Sequence, residues 1–164
     1  MKRLFLSFVT MLIGLAAFAQ NQTFESGKFV YKLSGNNAIL VATAENNLKD
    51  ARIPSSVKLN GVKYPVTGIA DGAFANQTEL LSVSLGLNIS SVGDNAFVGC
   101  SRLNAVYVYS LMPPKCSGKA PIFGDADGTI PEGLTIYVSA GSVADFSNAP
   151  VWNGLTIEPM VTKF

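Results

Sequence analysis

Two stretches alternate between apolar and polar residues in the same way: "LLSVSL" at 80–85 and "LNAVYVY" at 103–109. Alternation from Val83 and Val106 onward predicts half-buried strands. Each is preceded by a phrase of different rhythm, "IADGAFANQTEL" at 69–80 and "VGDNAFVGCSRL" at 92–103. At an offset of 23 residues, Ile69 falls on Val92, Asp71 on Asp94, Phe74 on Phe97, Leu80 on Leu103 and Val83 on Val106. Apolar meets apolar throughout, and the one shared charge is an aspartate before Ala-Phe. A period in the twenties predicts a solenoid, whose coils bury their apolar faces only against each other. Between the strands, the phrase predicts a turn and a short helical segment. Phe74 and Phe97 then plug the interior at ~2–3 kcal/mol each, and Asp71 and Asp94 act as helix N-caps.

Further coils follow if insertions are allowed. "LKDARIP" at 48–54 matches the strand segments at an offset of 32, with Asn60-Gly61 marking a two-residue hairpin in the surplus. "LTIYVSAGS" at 134–142 supplies a fourth strand at an offset of 30, its surplus in the Pro- and Gly-rich segment 112–133, which predicts loop. So short a stack needs covered ends. The stretch 28–43 predicts a hairpin turning at Ser34 to Asn37. Near Ser142 to Asn148 a short helix is expected, with Phe146 and Trp152 closing the last coil. The expected division is a leader at 1–19 and one domain at 20–164: cap hairpin 28–47, coils 48–138, C-terminal cap 139–164.

If Ile53, Val83, Val106 and Ile136 point inward, their neighbours point outward. Arg52, Ser84, Tyr107 and Tyr137 then form one column across the sheet, with Tyr109 beside it at a strand end. Strands ~4.8 Å apart allow Tyr107 and Tyr137 to stack. Exposed tyrosines supply rigid contact area of the kind enriched at binding surfaces. Cross-strand packing, worth ~0.2–1 kcal/mol, is the plainer account of the same pair.

Composition sharpens this picture. Lys2 and Arg3, an apolar run and "AFA" at 17–19 have the anatomy of a secretory signal peptide cut before Gln20; the apolar run is shorter than the ~20 residues of a spanning helix. Removing 1–19 leaves ten basic against eleven acidic side chains, so nothing attracts nucleic acid or an anionic membrane. The chain has no histidine, which removes Ser-His and Cys-His nucleophile pairs and the usual zinc sites. A carboxylate pair stays open as glycan-hydrolysing chemistry, although capping accounts for Asp71 and Asp94. Cys100 and Cys116 could form a disulfide in an oxidising compartment; two unpaired cysteines are expected instead. "GDADGT" at 124–129 holds part of a calcium loop, Asp125 and Asp127, but lacks the distal glutamate; a plain Asp-Gly turn is expected. No cofactor is expected.

The two Ala-Phe phrases fit the Ile-Gly-x-x-Ala-Phe-x-x-Cys-x-x-Leu pattern, and the chain resembles the BspA-type leucine-rich repeats of bacterial surface proteins over roughly 28–157. Gln77-Thr78 replaces the Cys-Ser of the phrase, and Gly86 and Ser139 stand where proline often ends the strand. The resemblance implies an α/β solenoid with a ~23-residue repeat and a parallel sheet on one face. It implies exposure at or beyond the cell surface and binding of proteins, and it transfers no catalytic residue. A bacterial source also makes the sequons at Asn21, Asn76 and Asn88 irrelevant.

The expected function is thus a secreted, periplasmic or surface-displayed module that binds a protein or glycan through Arg52, Ser84, Tyr107, Tyr109 and Tyr137. The alternative is a structural envelope protein that assembles with itself or with a larger complex through its end caps. A glycan-active enzyme comes third.

Overall fold

The computed structural model describes residues 22–125 and 127–161. The expected leader and the sequon at Asn21 lie outside the described residues. Along one face run five parallel strands: β4 (Asp50–Arg52), β7 (Ser82–Leu85), β10 (Ala105–Val108), β12 (Thr135–Val138) and β13 (Thr156–Pro159), in the spatial order β13-β12-β10-β7-β4. The remaining strands are, in chain order, β1 (Thr23–Ser26), β2 (Phe29–Ser34), β3 (Asn37–Thr43), β5 (Ser56–Leu59), β6 (Val62–Ile69), β8 (Ser91–Val92), β9 (Phe97–Val98) and β11 (Phe123–Gly124). One short helix, α1 (Val143–Asn148), precedes β13.

The strand interiors are as the alternation demands. Val83, Leu85, Val106, Val108, Ile136 and Val138 are all fully buried, while the residues between them reach the surface. Register follows the repeat: Val83 pairs with Val106 and Val106 with Ile136. At the opposite corner, Phe74 and Phe97 stack with centroids 4.9 Å apart and planes 16° apart. They occupy equivalent environments, as a shared interior requires.

Phe123 is a third plug, stacked on Phe97 at 5.3 Å, in the segment expected to be loop. β11 pairs in parallel with β9, so this stretch turns the same corner again. Its phenylalanine comes 26 residues after Phe97 rather than 23, and the surrounding prolines and glycines hide the pattern. Phe29 abuts Phe74 edge-on from the N-terminal cap, and Trp152 abuts Phe123 from the other end, with Phe146 against Trp152. The core is therefore a continuous aromatic column closed at both ends. Such pairs add ~0.5–1.5 kcal/mol each beyond their buried area.

The corners hold turns rather than the expected helical segment. Asp71 does not cap its own coil: its Oδ1 accepts the backbone N–H of Asp94, 23 residues on, at 2.9 Å. The Asp94 carboxylate in turn accepts the hydroxyl of Ser117, again 23 residues on. Around them a backbone ladder joins the coils, Gly72 N–H to Asp94, Phe74 N–H to Ala96 and Asn76 N–H to Val98. The aspartates thus tie one coil to the next, because in a solenoid the nearest unpaired amides belong to the neighbour.

The ends also differ from expectation in extent. The cap hairpin β2–β3, turning at Gly35-Asn36, is extended by β1 into a three-stranded antiparallel ribbon that joins β6 in parallel through β3. The hairpin at Asn60-Gly61 forms, both residues having positive φ as its tight turn needs. Past α1, β13 adds a fifth parallel strand inside the segment expected as cap. Cys100 and Cys116 are both free. No helix among the described residues is long and apolar enough to cross a membrane.

Candidate strand-face site

Arg52, Ser84, Tyr107 and Tyr137 are brought into one row. Arg52 pairs with Ser84, Ser84 with Tyr107, and Tyr107 with Tyr137. Their side chains face outward because their strand neighbours Ala51, Val83, Leu85, Val106, Val108, Ile136 and Val138 are in the core. Tyr107 and Tyr137 stack with centroids 5.0 Å apart and planes 16° apart. That distance is close to the ~4.8 Å between neighbouring strands, as expected of two paired rings projecting the same way.

Beside the row lies an open depression of ≈ 700 Å³. Arg52, Ser84, Tyr107 and Tyr109 line it, with Ser82, Asp50 and Leu87; Tyr137 does not, and reaches it only through its stack on Tyr107. Tyr109 (46% exposed) and Leu87 (63% exposed) form an apolar lip at the C-terminal strand ends. On the floor Ser82 donates to Asp50 at 2.6 Å. Arg52 is exposed and makes no ion pair among the described residues. It also borders a second depression of ≈ 520 Å³, between β4 and the β1–β2 turn, which shares Asp50 and Pro54 with the first. Donors, acceptors and aromatic faces are thus displayed along one groove.

The row has a fifth member that the sequence reading missed. Tyr137 pairs with Glu158 of β13, so the row runs from a cation to an anion. The signal was present: Leu-Thr-Ile at 134–136 recurs at 155–157. The proline that follows obscures the second copy as a strand.

No group of three or more acidic or cysteine side chains converges among the described residues. Asp127 accepts the backbone N–H of Thr129 at 3.0 Å, which holds its carboxyl below the usual range and makes it the turn-former expected of Asp-Gly. Burial pushes the Cys100 and Cys116 thiols up to about 11. Both are therefore neutral near pH 7, the unreactive form of the side chain.

No family model and no curated protein matches this chain. Solved bacterial structures do. A leucine-rich cell surface protein from Faecalibacterium prausnitzii aligns with a TM-score of 0.52 at 21% identity, over 88% of this chain and 44% of that one. A leucine-rich repeat protein from Bacteroides capillosus gives a TM-score of 0.52 at 24% identity, over 72% of this chain and 99% of that one. One from Bacteroides ovatus gives 0.50 at 17%, over 84% and 41%. This chain spans less than half of the first and third of these proteins and nearly all of the second. With the five-stranded parallel sheet and the recurrent aromatic corner, these likenesses establish the fold: the chain is a short leucine-rich-repeat solenoid.

Proposed function

We propose that the chain is an exported bacterial interaction module of the BspA type, displayed at or released from the cell surface, which captures a protein or glycan on the outward face of its five-stranded sheet. The observation that carries this reading is the stacked Tyr107–Tyr137 pair beside an open groove bordered by Arg52, Ser84 and Tyr109. Stacking holds both rings in place before a ligand arrives, so little side-chain freedom is lost on contact. The F. prausnitzii neighbour is a cell surface protein, which agrees with the leader-like segment at 1–19 of this chain. Binding needs no cofactor and no catalytic step.

The test is an array of proteins and glycans probed with the parent chain and with the Tyr107→Ser/Tyr137→Ser variant. Capture is expected to weaken about tenfold or more, since hot-spot aromatics contribute ~2 kcal/mol or more. The far-ultraviolet spectrum should not change. Equal capture by parent and variant removes the tyrosine face as the site.

A further inference from the structure

A solenoid stacks its coils in chain order, so an uneven charge sequence becomes an uneven charge along the molecular axis. This chain is markedly uneven. Residues 22–70 carry six cations, Lys28, Lys32, Lys49, Arg52, Lys58 and Lys63, against three carboxylates. Residues 71–161 carry three cations against eight carboxylates. Ion pairing within the molecule relieves little of this, since Lys28–Glu45 and Arg102–Glu79 each join charges of the same half.

The two free edges of the parallel sheet carry the same polarity. β4 is the outermost strand at the basic end and presents Arg52; β13 is outermost at the acidic end and presents Glu158. Both side chains are exposed and belong to the same row, Arg52-Ser84-Tyr107-Tyr137-Glu158. Neither has an ion-pair partner among the described residues. On the open side of β4 lies the ≈ 520 Å³ depression, whose rim carries Lys28, Arg52 and Lys58. Its one carboxylate, Asp50, already accepts the Ser82 hydroxyl. Nearby, Lys58 and Lys63 stand directly opposite each other across the β5–β6 hairpin, a like-charge pairing that an approaching anion relieves.

We infer that copies of this chain associate head to tail, the acidic β13 end of one meeting the basic β4 end of the next, with Glu158 pairing with Arg52 of the next copy. The surfaces are different patches of one molecule, so the contact is heterologous and repeats from copy to copy. Its chemistry is electrostatic rather than a continued hydrogen-bonded sheet. Pro159 in β13 lacks a backbone donor, which blunts that edge against strand addition. Association of exposed charges is screened once the Debye length falls to a few ångströms, so salt dissolves the contact.

The experiment is sedimentation velocity of the purified protein, without any ligand, over a concentration series at about 20 mM and about 1 M salt. The weight-average coefficient should rise with concentration at low salt and stay at the monomer value at high salt. Arg52→Glu and Glu158→Arg should each weaken association about tenfold, by replacing an attraction with a repulsion. The double variant should regain it, as should an equimolar mixture of the two single variants, where each junction again has opposite charges. A monomer at every concentration and both salts overturns the inference. So does salt-insensitive association, or a double variant no better than either single one. With no ligand present, these outcomes are independent of whether the tyrosine face captures anything.

Discussion

Gln77 shows how one side chain adapts a repeat to its end. It stands where the next coil has Cys100, whose thiol donates to the Phe74 carbonyl of the preceding coil at 3.1 Å. The coil holding Gln77 has the N-terminal cap, not another coil, before it. There the longer amide reaches three partners: its Oε1 accepts from the Leu48 N–H, and its Nε2 donates to Thr43 Oγ1 and the Glu45 carbonyl. Gln77 is only 6% exposed, so those partners have no easy substitute in water. Gln77→Leu should therefore destabilise by ~1–3 kcal/mol, because an apolar residue leaves the buried Leu48 N–H unpaired. A urea midpoint indistinguishable from the parent's shows the amide to be dispensable. That Gln77 must find partners was legible from its place in the repeat; which partners was not, since they lie 29 to 34 residues away.

At the scale of elements, the corner is set by how closely successive coils approach. A Cβ on Gly93 would overlap the backbone nitrogen and carboxylate of Asp71, the group that binds Asp94. Gly86 is similarly confined, where a Cβ would lie 2.9 Å from the Ile53 carbonyl. Gly93→Ala should cost ~1–3 kcal/mol by forcing the coils apart, whereas Gly154→Ala, with open space around it, should be nearly neutral. Comparing both variants by thermal melting checks this; equal melting temperatures contradict the close-packed corner. The role of Asp71 could not be read locally, because an aspartate capping its own helix and one binding a neighbouring coil satisfy the same amide need. Phe123 escaped for another reason: solvent-facing loops absorb extra residues at little cost, so insertions spoil the period without moving the plug.

For the whole molecule, the aromatic column running from Phe29 to Phe146 makes one cooperative body of coils that cannot stand alone. Trp152 is the only tryptophan, is 1% exposed, and donates its Nε1–H to the Pro114 carbonyl at 2.9 Å. Its fluorescence therefore reports the C-terminal end, while the far-ultraviolet signal reports all the strands. The two should give one urea midpoint if the column transmits stability from cap to cap. Separate midpoints show that the C-terminal end melts by itself.

The repeated phrase determined the coil, its inward residues and the outward row, because alternation and period follow directly from backbone geometry. The chain as a whole carries, outside that phrase as well as in it, the uneven charge that a stacked fold turns into two unlike ends. Only the tertiary structure decided that Phe123 fills a third corner and that the aspartates bond between coils. Each of those depends on which distant backbone lies alongside. That is set by the packing of coil on coil and not by any residue's immediate neighbours.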